Sequence, residues 1–229
     1  MMVATTIGLF LILGIGAIFF SMRQTSIARQ GLSDLQNNER MAMTFLGAGI
    51  QGAGFYPIYN PFTTTTAVAA FLVSGSFLAG QSIVGTGTGA GYGVSSPLGT
   101  DTLSVRFKTP LSSAPGAVIQ GCATGLTPNT LYTDVFSVQT LSGTPTLVCT
   151  ENGTAVPLIA GVQGMSVLYG VDPTSSKSVT SYVPATGVTN WALVKTVSIT
   201  LQFTNPLAGQ PGQSATVNFT RTIPYMNRL

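Results

Sequence analysis

The fold is decided by residues 1–50, which read MMVATTIGLFLILGIGAIFFSMRQTSIARQGLSDLQNNERMAMTFLGAGI. No charged residue occurs from Met1 to Phe20, and an apolar run of this length can span a bilayer as a helix. A cleaved secretory signal would begin with a positive region and end at small residues, so a retained anchor is the better interpretation. We therefore predict a transmembrane helix over residues 1–20.

The helical pattern continues beyond Phe20 with a different character. Residues 21–50 contain no proline, and apolar side chains recur at helical spacing while charged residues fill the remaining positions. Gly52, Gly54 and Pro57 then provide an ending. The prediction is one N-terminal helix within residues 1–54, and its part from Val3 to Ile50 would be about 70 Å long at about 1.5 Å per residue. Its first half is apolar on all sides, and its second half is amphipathic.

The composition excludes several classes of protein. Apolar residues make up 45% of the chain and charged residues only 7%, which is not the composition of a disordered protein. The isoelectric point is about 9.0, but the lysines and arginines are scattered, which gives no support to nucleic-acid binding. Arg106 and Lys108 lie two apart on a predicted strand, where they would form a solvated strand face.

The region after the helix, residues 55–100, is rich in Gly, Thr and Ser. GTGTGAGYG at Gly85–Gly93 approaches low complexity and predicts a flexible surface loop. A glycine-rich phosphate cradle is the functional alternative, but no lysine follows it and no strand-to-helix pattern surrounds it.

Residues 101–229 read as a β-sheet head domain. Alternation with a period of two predicts half-buried strands. It occurs at Leu103, Val105 and Phe107, at Val197, Ile199, Leu201 and Phe203, and at Val217 and Phe219. Further strands are predicted at 135–140, 146–150 and 165–170, with turns at Asn129, Gly143, Asn152, Pro173 and Pro206. Strands that follow one long helix indicate an α+β fold, in which an antiparallel sheet packs on that helix.

Two cysteines, Cys122 and Cys149, lie in the predicted head. If the head is outside the cytoplasm, they form a disulfide, which would stabilise the fold by roughly 3 to 4 kcal/mol. The alternative is a pair of unpaired buried thiols.

The residues expected for catalysis are missing. The chain has no histidine, which removes the commonest general base and most zinc sites. Its six carboxylates show no suggestive spacing, and Asp172 before Pro173 is typical of a turn. Tyr169, Tyr182 and Trp191 fit a core or subunit contact better than a sugar- or base-stacking surface. We predict no catalytic, cofactor or metal residues and no enzyme activity.

Several motifs, in order, resemble one family. They are the apolar run MMVATTIGLFLILG, then Leu35, Gln36, Asn38 and Arg40, then Ala53, Gly54 and Phe55, and later DTLSVRF at 101–107, GVQGMSVLYGVD at 161–172 and NRL at 227–229. This order is similar to that of the PilW family of type IV pilus minor pilins. The resemblance implies a pilin-like fold, with a head on a long helix.

The resemblance also implies a function. It implies a structural minor pilin that enters a type IV pilus at or near its tip and helps to initiate assembly. The helix residues expected in the membrane and in the filament core are Ile7, Phe10, Leu11, Leu13, Ile18 and Phe19. Expected partners are other pilins, an inner-membrane assembly machine and, before assembly, the membrane. The expected locations are a single-pass position in the bacterial inner membrane, with the head in the periplasm, and the extracellular filament.

Alternatives within and outside this class stay open. A type II secretion pseudopilin would share the helix and the head, a major subunit would be abundant in filaments, and a pilus-borne adhesin or DNA-binding module would need an aromatic and basic patch. Pilin precursors also carry a basic leader and a Phe-Thr-Leu-Ile-Glu type block just before the position of Met1. The sequence starts without them, so we expect either an internal start or a trimmed chain.

Overall fold

The structure is a computed structural model that describes most of the chain. It describes residues 2–57, 66–91, 98–110, 122, 126–174, 176 and 178–225, and near the start of the helix it describes the side chains of residues 7, 8, 12 and from 14 onward.

One helix, α1 (Met2–Gly52), forms the first 51 described residues. It ends where Gly54 takes a positive φ of 80°, and the N–H of Gly54 donates to the carbonyl of Arg106 at 2.8 Å. A Cβ at Gly54 would lie 2.8 Å from the Ser82 hydroxyl oxygen. Glycine is therefore required here both by the left-handed conformation and by the close approach of the head.

The two halves of α1 have different surroundings. The C-terminal half buries a stripe of apolar side chains against the head, namely Leu35, Ala42, Met43, Leu46 and Ile50. The described apolar side chains between Ile12 and Ile27 are exposed. Only the C-terminal half therefore belongs to the core.

The first sheet has five antiparallel strands in the order β1-β2-β3-β4-β5. They are β1 (Ile83–Thr86), β2 (Thr102–Lys108), β3 (Leu131–Leu141), β4 (Thr144–Glu151) and β5 (Thr154–Ala160), and a short helix, α2 (Ala67–Ala70), precedes them. Two-residue turns at Ser142–Gly143 and Asn152–Gly153 join β3 to β4 and β4 to β5, and all four turn residues have positive φ. Such turns match the twist of paired strands.

The second sheet has four antiparallel strands in the order β7-β6-β8-β9. They are β6 (Val162–Val171), β7 (Ser181–Pro184), β8 (Val194–Thr204) and β9 (Thr216–Pro224), with short 3-10 turns at Ala185–Gly187 and Trp191–Leu193. One hydrophobic core joins both sheets to α1.

The predicted fold class was wrong about the sheet. A single sheet on the helix was expected, but the strands divide into two sheets between β5 and β6. Gly161, at φ 86°, lies alone between these strands. This conformation favours glycine and redirects the chain from the first sheet into the second. Strand alternation alone does not reveal such a change of sheet.

The predicted fold class was also wrong about the membrane span. Among the described residues, no helix is both long enough and apolar enough to cross a membrane. Of the six residues predicted for the membrane and the filament core, Ile7, Ile18 and Phe19 are exposed, and the side chains of Phe10, Leu11 and Leu13 lie outside the described set.

Candidate functional site

Among the described residues, the largest group of exposed apolar side chains lies on the N-terminal half of α1. We call it the exposed helix surface, and it consists of Ile12, Ile15, Ile18, Phe19, Phe20, Met22 and Ile27, which are 58% to 71% exposed. Large contiguous apolar surfaces on folded chains mark sites of interaction. The candidate site of this protein is therefore a packing surface.

The spacing within this surface suits another helix. Ile12, Ile15, Phe19 and Met22 follow one another at intervals of three, four and three residues. Side chains at these intervals form one stripe along a helix, and this 3-4 pattern is the one by which helices interlock in coiled coils. A facing helix could bury the stripe along its length.

Two glycines allow the C-terminal part of α1 to approach the head closely. A Cβ at Gly49 would lie 2.8 Å from the ring of Phe136 on β3, and one at Gly31 would lie 2.8 Å from the Cβ of Pro206. Because real Cβ atoms do not approach so closely, the absence of a side chain at both positions permits the contact. The head is thus held against α1 between Gly31 and Ile50, which leaves the exposed helix surface beyond it.

Arg106 on β2 is buried, contrary to the prediction of a solvated strand face. Its guanidinium donates to the carbonyl of Leu72 at 2.7 Å, of Leu78 at 3.1 Å and of Gln81 at 3.0 Å. The cation also lies 5.5 Å from the ring centre of Phe71 and 4.3 Å from that of Phe77. Burial lowers the pKa of Arg106 to about 10, so the group stays charged at neutral pH.

Through these contacts Arg106 fixes residues 66–82 as a compact segment, which has a buried side and an exposed side. Phe71 and Phe77 are buried beneath it. A second, smaller apolar patch faces outward from the loop and consists of Val68, Leu72, Val73 and Leu78, which are 58% to 67% exposed.

Asp101 joins the glycine-rich stretch to the second sheet. Its carboxylate accepts the N–H of Gly89 at 3.1 Å and the N–H of Val167 at 2.9 Å. A Cβ at Gly85 would overlap the Tyr169 hydroxyl, and one at Gly87 would overlap Asp101 itself. The glycines here permit close packing against buried polar groups.

A disulfide joins Cys122 to Cys149 on β4, with a Cα–Cα distance of 6.1 Å. Beside it lie two buried acids, Asp134 on β3 and Glu151 on β4, which the sheet register places directly opposite each other. Burial and, second, the charge of Glu151 raise the pKa of Asp134 to about 7.

Sequence reasoning missed this acid pair, although a signal for it was present. Once Ser142–Gly143 is recognised as a two-residue turn, the strand register follows, and position 134 falls opposite position 151. Spacing along the chain alone, without the turn, gave no reason to pair the two acids.

Among the described residues, Cys122, Asp134 and Cys149 bring potential metal donors together. The ligand form of cysteine is the thiolate, and both sulfurs are committed to the disulfide. With the disulfide formed, this cluster lacks the donors that a thiophilic metal requires.

The contacts of Asp172 and of the aromatic pair Tyr169 and Trp191 are ones that stabilise the fold. Asp172 accepts the N–H of Ser176 at 2.9 Å and the Thr174 hydroxyl at 3.3 Å, as a turn residue does. Tyr169 and Trp191 pack edge to face with ring centres 4.8 Å apart, and Tyr182 is exposed.

Comparison with known proteins gives one match. A family model described as PilW, Type IV Pilus-assembly protein W, matches residues 135–222, which run from within β3 into β9. No curated protein and no solved structure matches the chain. The family model thus supports a PilW-family assignment for this chain and, with it, a part in type IV pilus assembly.

Proposed function

We propose that this chain is a structural minor pilin, which enters a type IV pilus at or near its tip and helps to initiate assembly. The observation that carries the proposal is the exposed helix surface, which is apolar and covered by no described part of the head. The family match over the head supports a pilus setting, in the cell envelope or in the pilus itself.

The proposed mechanism is helix packing. Full burial of an isoleucine, phenylalanine or methionine side chain contributes about 1.5–3 kcal/mol. The exposed helix surface has seven such side chains, so covering it with neighbouring helices would contribute on the order of 10 kcal/mol. Part of that gain offsets the freedom that the subunits lose on association. The proposed partners are therefore other pilins, whose helices present similar apolar stripes, and the machine that assembles them.

The proposal divides the chain by role. Residues 1–54 supply the helix, residues 55–100 connect the helix to the head and add β1 to its first sheet, and residues 101–229 form the rest of the head. No step of this mechanism turns over a substrate. The head would instead contact neighbouring subunits, and the patch around Leu72 and Leu78 is available for such a contact.

Substitutions on the exposed helix surface test the proposal. Ile15→Gln combined with Phe19→Gln should reduce recovery of the chain in sheared filaments at least tenfold, because polar side chains would be buried in the helix contact. The matched control is Gln24→Ala combined with Thr25→Ala, which changes two polar positions on the same half of α1 and should leave recovery unchanged.

Recovery is measured by immunoblot against total cellular protein, and the folded state of the head is checked by its protease resistance. Equal recovery of the glutamine variant and the control, with the head folded, would rule out packing through this stripe.

A further inference from the structure

We propose that Asp134 and Glu151 share a single proton and form a pH-dependent latch at the disulfide end of the first sheet. Loss of that proton would loosen the ends of β3 and β4. This inference concerns the head alone and does not depend on the proposed role in the pilus.

The geometry of the pair is the first argument. Asp134 and Glu151 face each other across β3 and β4, and their side chains are 1% and 5% exposed. One oxygen of each, Oδ1 of Asp134 and Oε1 of Glu151, is buried and has no hydrogen-bond partner. Two buried carboxylates with unpartnered oxygens repel each other, whereas one proton between them would satisfy both.

Within the described part of the chain, no positive charge lies against the pair to neutralise it. In the first sheet the only other charged residues are Arg106 and Lys108 on β2. Alternation along β2 places both on the face opposite Val105, the residue paired with Asp134, and Arg106 is engaged with residues 66–82.

The other elements near the pair are also uncharged. Strands β5 and β6 contain no charged residue, and the last turn of α1 contains no basic residue. The titratable neighbour on the same face is Tyr132, whose hydroxyl accepts the N–H of Thr127 at 2.8 Å.

The disulfide does not satisfy the pair either. Oδ2 of Asp134 lies 3.4 Å from Sγ of Cys122, but a disulfide sulfur has no proton to donate. A protonated Asp134 can direct its own O–H to Glu151 or to that sulfur. Burial and the neighbouring Glu151 raise the pKa of the Asp134 carboxyl and outweigh a hydrogen bond with the backbone of Cys122, which lowers it, so the pKa stays raised, in agreement with a shared proton.

Loss of the shared proton would act on one end of the β3–β4 hairpin, because the acid pair lies there. The turn at Ser142–Gly143 closes one end of the β3–β4 hairpin, and the acid pair lies at the other end, next to the disulfide and to the turn at Asn152–Gly153. A repelling pair would act on this end, because the regular register of β3 with β4 ends at Asp134 and Glu151. Beyond the pair, Asn152 continues the contact: its N–H donates to the carbonyl of Thr133 at 2.9 Å, and its Oδ1 accepts the N–H of Thr133 at 2.9 Å. The latch is closed in mildly acidic surroundings and weakened in alkaline ones.

Carboxyl ¹³C NMR of the full, oxidised chain tests the proposal. Between pH 3 and pH 10, a carboxyl resonance of the pair should titrate with a midpoint near 7, and Glu151→Gln should lower the midpoint of Asp134. Asp34→Asn, at an exposed position on α1, is the control and should leave that midpoint unchanged. Amide exchange, corrected for its intrinsic pH dependence, should accelerate at least tenfold in residues 132–134 and 150–152 between pH 5.5 and pH 8.5.

The double variant Asp134→Asn with Glu151→Gln should abolish that acceleration, which separates the latch from a general loss of stability. Two carboxyl midpoints below pH 5, or the same acceleration in the double variant, would overturn the proposal. A midpoint that moves when EDTA is added would also overturn it, because a divalent cation would then occupy the place of the proton.

Discussion

A buried arginine determines the position of residues 66–82. Arg106 is fixed by three backbone carbonyls and two aromatic rings. If the guanidinium were removed, the carbonyls of Leu72 and Gln81 would lose this donor, whereas the carbonyl of Leu78 would keep the N–H of Gln81 at 3.2 Å. A buried acceptor without a partner costs about 1–3 kcal/mol, and such losses at one site add to the cavity left by the side chain.

Replacement of this side chain should therefore be costly. We expect Arg106→Met to lower the free energy of unfolding by roughly 3 kcal/mol or more and Arg106→Lys by less, because lysine keeps the charge but lacks the planar fork. Urea denaturation followed by circular dichroism measures the change. Lys108→Met, two residues along the same strand, should stay within about 0.5 kcal/mol. A similar value for Arg106→Met would contradict the assigned role.

Asp134 makes the stability of the head depend on pH. Its folded-state pKa of about 7 lies above the ordinary value of 3.8, so the folded state retains a proton that the unfolded chain releases. Stability is therefore fully present below about pH 4, declines as the pH rises to about 7, and is level above that. The decline amounts to at most about 4 kcal/mol. Urea midpoints between pH 3.5 and pH 8.5 should show it for the wild type but not for Asp134→Asn, and equal slopes would argue against it.

For single residues, the sequence predicted which face of a strand a side chain lies on, but it did not predict what covers that face. Alternation correctly placed Arg106 on one face of β2, but whether that face is covered depends on residues 66–82, which are distant in the chain. The acid pair was missed for a related reason. Each acid is unremarkable by itself, and only the hairpin register brings them together.

Glycines on α1 allow the helix to pack closely on the head. Gly47 and Gly49 both lie near the C-terminal end of α1. A Cβ at Gly47 would meet nothing within 4 Å, whereas a Cβ at Gly49 would meet the ring of Phe136. In a helix interior, alanine is otherwise favoured over glycine by about 1 kcal/mol. The two positions therefore form a matched pair.

Alanine at these positions should have opposite effects. Gly47→Ala should raise the free energy of unfolding by about 0.5–1 kcal/mol through helix propensity alone. Gly49→Ala should lower it by about 1–2 kcal/mol, because Phe136 or the helix must shift. Thermal denaturation of both variants side by side measures the difference. Equal stabilisation by both would show that α1 does not approach β3 this closely.

For strands and turns, the sequence was a reliable guide where a short local segment determines the backbone conformation. Gly143 and Asn152 mark the turns that flank β4, as predicted, because both are residues that adopt positive φ readily. The division into two sheets escaped prediction, since it depends on how β6 pairs with β8 across the molecule. The membrane span was predicted from apolar length, and the described helices do not support it.

The whole molecule combines a head with one core and a helix that extends from it. The core unites both sheets with the C-terminal half of α1, while the exposed helix surface contacts no described part of the head. Apolar surface of this extent on a folded chain marks a site of interaction. The resemblance noted in the sequence is confirmed over residues 135–222, which supports a partner among pilus proteins.

We have proposed that this chain is a minor subunit of a type IV pilus. Quantitative mass spectrometry of sheared, purified filaments tests it most directly, with peptides from residues 101–229 compared with those of the most abundant subunit. A minor subunit should give a reproducible trace ratio, far below one. A ratio near one would make the chain the main building block, and its complete absence from filaments of cells that express it would contradict incorporation.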